Sequence, residues 1–249
     1  KGTPRMVLQH LVNGLTLGAI YALLALGYSM IFGVLSFINF AHGDVSIVGA
    51  LLAWTMAVQL GSSMPVAIIV GIIGGMLLGM LIELIGYRPI RKAPKLSAVI
   101  VSMGFSFVLQ TGAQIIWSTR TLAMPSFVEN KSYTIGGAVI NTIQIWIVVV
   151  AVVIMILLTL LINKTKIGSA MRAVALDQPT CGLMGININA IISLVFALGS
   201  ALGTLSAIMM ASYYSSIYAT MGSLIGTKGF CAVVLGGAGS IPGAMLGGV

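Results

Sequence analysis

The chain has 249 residues, of which only 16 carry charge (12 Lys plus Arg, 4 Asp plus Glu), while 59% are hydrophobic and the mean hydropathy is +1.12. That balance excludes an ordinary water-soluble domain, which needs far more polar surface. The net charge of +8 does not point to nucleic acid either, because the few basic residues sit in short turns between apolar runs, where the positive-inside bias puts them.

Taken in chain order, the segments are judged by length. About 20 apolar residues of helix cover a hydrocarbon core of about 30 Å. The N-terminus lacks the order of a secretory signal, so the first apolar run, from Leu11, is expected to be a retained span. Residues 11–30, 96–115, 143–162 and 191–210 contain no charged side chain, and 66–85 contains only Glu83; these five are predicted transmembrane helices. Residues 45–60 form a shorter embedded segment between Asp44 and the turn Gly61-Ser62-Ser63. Residues 229–249 are apolar but so rich in glycine that a broken or re-entrant helix is expected. The chain starts without Met and stops within an apolar run, so truncated ends are expected, the C-terminal one above all.

Orientation follows the loops. Arg88, Arg91, Lys92 and Lys95 form one basic loop and Lys164, Lys166 and Arg172 with Asp177 another, so both are assigned to the cytoplasm and 120–131 to the outside. Counting back three spans puts the N-terminus outside, against the weak vote of Lys1 and Arg5, and a re-entrant stretch near 32–44 would change the count. The side of the N-terminus stays open. Glycines four apart (Gly14/Gly18, Gly71/Gly75/Gly79, Gly199/Gly203, Gly239/Gly243/Gly247) predict close helix packing in lipid.

Chemistry-bearing patterns are sparse. Two His and four carboxylates are scattered, with no HExxH, no GxSxG and no paired carboxylates, so the chain reads as a non-catalytic protein with no metal site and no cofactor. Cys181 and Cys231 have neither metal-ligand spacing nor reason to pair. The run 236–240 lacks the Lys of a phosphate loop, so any ATP must be bound by another subunit.

Three interruptions of the apolar pattern stand out. In Ile38-Asn39-Phe40-Ala41-His42-Gly43-Asp44, polar groups lie between two embedded segments; they either line a pathway or form an interfacial turn with Asn39 or Asp44 capping the next helix. In 168–187, Ser169 to Leu176 is predicted to be a short cytoplasmic helix ended by Pro179, either a docking element or a plain loop helix. In 213–248, adjacent tyrosines, Lys228 and a Gly/Pro-rich run suggest an unwound membrane helix or close packing.

With these residues in view, the chain resembles the membrane permeases of ABC importers for branched-chain amino acids, in particular the smaller of the two partner permeases. The resemblance is carried by Asn13-Gly14-Leu15-Thr16-Leu17-Gly18-Ala19-Ile20-Tyr21-Ala22-Leu23, the 38–44 run, Tyr87-Arg88-Pro89-Ile90-Arg91, the 168–187 loop and 232–244. It implies an all-α, polytopic transmembrane helix bundle with Gly-rich broken or re-entrant segments, a single domain over 1–249 with a cytoplasmic coupling loop at 164–187. It implies a bacterial inner-membrane location and three kinds of partner: a second permease, two cytoplasmic ATP-binding subunits, and a periplasmic amino-acid-binding protein.

Carried over by position, the coupling residues are Gly168, Ser169, Met171, Arg172, Ala173, Asp177, Gly182, Gly185, Ile186 and Asn187, with Arg172 and Asp177 making polar contacts and Gly182 and Gly185 turning the chain back. Asn39, His42 and Asp44 are the pathway candidates. Related permeases for urea, short amides or other amino acids share the pattern, and an ATP-independent channel or secondary transporter is a further alternative.

Overall fold

A computed structural model describes residues 3–91, 93–129, 131–135 and 138–249, without the side chains of residues 3–5 and 135. The votes of Lys1 and of the Arg5 side chain, and Lys92 of the first basic loop, lie outside the described residues.

The long apolar segments are helices because lipid offers no partner for a backbone amide, so each segment must satisfy its own. In order they are α1 (Thr3–Leu35), α2 (His42–Trp54) prolonged by a π-helical turn Thr55–Gln59, and α3 (Met64–Ile82). A second π-helical turn, Glu83–Tyr87, joins α3 to the short α4 (Arg88–Ile90). Then come α5 (Lys95–Trp117), α6 (Thr142–Lys164), α7 (Lys166–Leu176), α8 (Gln178–Leu183) and α9 (Ile188–Tyr213). The last two are α10 (Met221–Gly236) and α11 (Ile241–Gly248). Among the described residues, five helices are long and apolar enough to cross a bilayer, making this a polytopic all-α membrane protein.

At the centre are α1 and α9, whose most apolar windows are 78% and 67% buried within the chain, against 11% for α5. The two therefore form the core of the bundle and α5 its rim. Contact between them is close because glycines face each other: a Cβ on Gly27 would stand 2.7 Å from the Gly199 carbonyl oxygen. Gly71, Gly75 and Gly79 of α3 likewise face Ala53, Thr204 and Ser200. Gly14, by contrast, has open space around its Cβ position, so it is not a packing glycine despite its spacing from Gly18.

Short strands collect at one end of the bundle. β1 (Leu122–Ala123) pairs antiparallel with β4 (Ser216–Ile217), and β2 (Ser132–Ile135) with β3 (Ala138–Asn141). The first turns of α1 are held to this end: Gln9 accepts from the Val139 amide at 2.7 Å and donates to its carbonyl at 3.0 Å. The N-terminal end of α1 therefore lies with these strands, at the end of the bundle opposite Arg88 and Arg91. On the positive-inside rule that end is the outer side.

Two expected boundaries shift. The helix expected at 169–176 starts at Lys166, where Thr165 caps it by accepting from the Gly168 amide at 3.0 Å, and it ends at Leu176 with Asp177 as its C-cap. Pro179 does not end it; it sits in the first turn of α8, where a proline loses no helical hydrogen bond. The Gly-rich C-terminal stretch is two helices, with the break at 237–240 using positive φ at Gly237 (89°) and Gly239 (88°).

Candidate functional site

Two regions carry the predicted residues. The first begins where the chain leaves α1 at its inner end, turns through Ser36 at φ 55°, and climbs back into the bundle to start α2. Asn39 fixes this return. Its Oδ1 accepts from the Ala41 amide at 3.1 Å and from the Tyr87 hydroxyl at 2.8 Å, tying the junction to the end of α3. No side chain caps α2, whose N-cap is Ala41.

His42 is fully enclosed. It lies edge-on to the Tyr28 ring at 4.5 Å between centroids, in a slot left by Gly27 and Gly203, where added Cβ atoms would stand 2.6 and 3.0 Å from its Nε2. Asp44, one turn of polar sequence further, is also buried, but its carboxylate faces another way. Its Oδ2 accepts from Ser106 Oγ at 2.5 Å and from Gln110 Nε2 at 3.3 Å, both on α5. Asn39 and His42 thus hold the break in place, while Asp44 backs a groove between α5 and α10.

That groove has a volume of about 460 Å³ and is lined by Ser106, Phe107 and Gln110 of α5 and Ser223, Thr227 and Phe230 of α10, among others. None of these six residues was singled out from sequence. The available signal was polar pairs four apart, Ser106/Gln110 and Ser223/Thr227, inside otherwise apolar helices; such a pair gives a helix one polar stripe.

The second region is the 164–187 segment, between α6 and α9. Gly168 sits in the tight corner between α6 and α7, where a Cβ would collide with the Leu161 and Ile162 carbonyls. Arg172 closes the same corner, donating to the Ile162 carbonyl and to Ser169 Oγ at 3.2 Å. Met171 is buried beneath α7 and Ala173 is half-buried. Asp177 caps α8, accepting from the Thr180 amide at 3.3 Å and from its hydroxyl, and these bonds hold its carboxyl below the ordinary aspartate range.

Gly185 has φ 79°, a conformation that costs glycine nothing, whereas Gly182 needs no such freedom. The Ile186 amide bonds to the Cys181 carbonyl at 3.0 Å, and Asn187 caps α9 through the Ala190 amide at 3.1 Å. The segment is tied to the bundle by Gln178, which donates to the Val34 carbonyl at 3.1 Å. Its tip carries three apolar side chains that sequence reading passed over: Leu176 and Leu183, each 89% exposed, and Met184, 79% exposed. All three lie outside the five helices long and apolar enough to cross a bilayer.

Residues 10–249 match the family model described as a branched-chain amino acid transport system permease component. The chain is 40% identical over 255 residues to the high-affinity branched-chain amino acid transport system permease protein BraD of Pseudomonas aeruginosa, covering 97% of this chain and 83% of that one. Identity to the LivH permease protein of Escherichia coli K12, described in the same words, is 37% over 255 residues, with 97% and 82% covered. A probable branched-chain amino acid transport permease protein of Methanocaldococcus jannaschii is 29% identical over 241 residues, with 91% and 73% covered. No solved structure matches.

Proposed function

This chain belongs to the permease components of branched-chain amino acid transport systems, and from that premise we propose that it forms one membrane-spanning half of an ATP-driven importer of leucine, isoleucine and valine in the bacterial inner membrane. The observation that carries this reading is the match over residues 10–249 together with relatives bearing that name at 37 to 40% identity. In this reading a second permease completes the pathway, two cytoplasmic subunits bind and hydrolyse ATP, and a periplasmic protein delivers the amino acid.

The 164–187 segment has the features that a docking element for the ATP-binding subunits needs. It is short, capped at Thr165, Asp177 and Asn187, and tied back to α1 through Gln178, so a push on it is not absorbed by loop flexing. Leu176, Leu183 and Met184 supply apolar anchors of the kind that fill a partner's pocket. Arg172 and Gly168 stiffen the corner through which the push reaches α6, and Gly185 and Asn187 the one through which it reaches α9. Asp44 flanks the pathway, and Asn39 and His42 fix the broken stretch that carries it. Chemistry is confined to the partner ATPases, and selectivity to the delivery protein and the pathway wall.

The test is purification from membranes with identification of the subunits that accompany the chain, followed by reconstitution and an assay of ATPase activity with the delivery protein. Stimulation by leucine, isoleucine or valine is expected. Stimulation by urea or short amides in place of these would assign the chain to a neighbouring substrate class.

A further inference from the structure

The groove between α5 and α10 lies at mid-membrane depth. Ser106 is at the midpoint of the 23-residue α5, and two residues past Asp44 α2 meets the middle of α9 where Ser46 faces Gly203. Polar side chains at that depth are costly against lipid and face a pathway or a partner instead. The exposed side of α10 nonetheless presents Ser223 and Thr227.

The hydrogen-bond ledger of the groove is one-sided. Ser106 spends its proton on Asp44. Gln110 donates to Asp44 at 3.3 Å and to Ser106 at 3.0 Å, which occupies both amide protons. Ser223 donates to the Thr220 carbonyl at 3.1 Å and Thr227 to the Ser223 carbonyl at 2.8 Å. What remains free is acceptors: the Gln110 Oε1 and the lone pairs of the two α10 hydroxyls. Behind them stands the Asp44 carboxylate, whose Oδ1 is buried without a hydrogen-bond partner. The cation of α10, Lys228, lies 5.7 Å from the centroid of the Tyr21 ring on α1 and does not line the groove, so the acidic group behind this wall is Asp44.

We propose that this groove receives the α-ammonium end of the transported amino acid. The proposal rests on the branched-chain amino acid reading above and deepens it. An ammonium group has three donors and no acceptor, the complement of a wall whose donors are committed and whose charge is negative. Phe107 and Phe230, which flank the same groove, give an aliphatic side chain an apolar surface. The carboxylate end points away from Asp44. Because the carboxylate is reached through Ser106 and Gln110 and not directly, the hold is weak enough for release, as a conducting site requires.

The test uses the complete reconstituted transporter. Single cysteines are placed at Ser223 and Thr227 in a Cys181→Ala, Cys231→Ser background, with Ile156→Cys on the exposed face of α6 as a lipid-facing control. A membrane-impermeant maleimide is expected to label positions 223 and 227 and not 156. In parallel, Gln110→Leu and Thr227→Val are expected to lower leucine uptake about tenfold, the effect of losing a hydrogen bond to a charged group, while ATPase stimulation by the loaded delivery protein persists. Labelling no greater than at position 156, or uptake unchanged in both variants while the unaltered transporter takes up leucine, overturns this inference alone. Failure of the unaltered transporter to take up any branched-chain amino acid overturns the parent reading instead.

Discussion

Glu83 and Arg88 form a two-point ion pair at the inner end of α3, with Arg88 Nη2 donating to Oε2 at 2.9 Å and Nε to Oε1 at 3.3 Å. Arg91 shares the same carboxylate, and Ser193 of α9 donates to it at 2.6 Å. Arg91 also donates to Asn189 at 2.5 Å, so one buried acid joins the first basic loop to α9.

Removing that acid leaves two cations facing each other. Glu83→Leu is expected to destabilise the solubilised protein by about 2 to 3 kcal/mol, somewhat less than for a fully buried pair, because the Arg88 side chain is 35% exposed and regains water. Thermal denaturation in detergent reads this; an unchanged midpoint would show that the cluster holds nothing together.

Two glycines of the same helix, α1, should respond in opposite ways. Gly27→Ala puts a methyl against His42 and the Gly199 carbonyl, and overpacking of that kind costs about 1 to 3 kcal/mol. Gly14→Ala meets nothing within 4 Å and is expected to be neutral or to stabilise α1 by up to about 1 kcal/mol through helix propensity. Comparing the two thermal midpoints tests whether the space around each glycine decides its tolerance of a methyl group.

At the docking segment, Leu183→Asp and Leu176→Asp are expected to weaken the association of the ATP-binding subunits at least tenfold, as for anchor residues truncated at an interface, with membrane insertion unchanged. Arg172→Glu, which reverses the charge at the α6–α7 corner, is expected to leave assembly intact and to lower both transport and stimulated ATPase activity. Pull-down and ATPase assays separate these outcomes, and normal coupling in all three variants would remove the assignment of this segment.

The cap at Asp177 sets a pH dependence. Its carboxyl is held below the ordinary aspartate range by the Thr180 hydroxyl and amide, so the folded group ionises at lower pH than the unfolded one. The contribution to stability is present above the unfolded aspartate range and is lost as pH falls through the lower, folded value. Hydrogen exchange at the Thr180 amide is therefore expected to stay slow from neutral pH down through the usual carboxylate range. In Asp177→Ala it should be fast throughout, and in Asp177→Asn slow, since asparagine caps comparably.

Much of this protein was legible in the sequence because hydrophobic length is a local property. The five long spans, the basic loops and the end of α7 at Leu176 follow from composition within a window, and the five recurring motifs identified the family. What the sequence did not separate was residues of like appearance with unlike surroundings. Gly14 and Gly27 are both helix glycines, yet only the packing of α1 on α9 tells which one admits no side chain. Asn39, His42 and Asp44 are neighbours in one motif, yet the start of α2 turns the first toward Tyr87, the second into a glycine slot beside Tyr28 and the third toward α5. Pro179 reads as a stop until Asp177 makes it a start. Span depends on what a segment does with water and lipid, which its own residues decide; the wall of the groove depends on which helices meet, and contacts between residues sixty or more positions apart exist only once the bundle has formed.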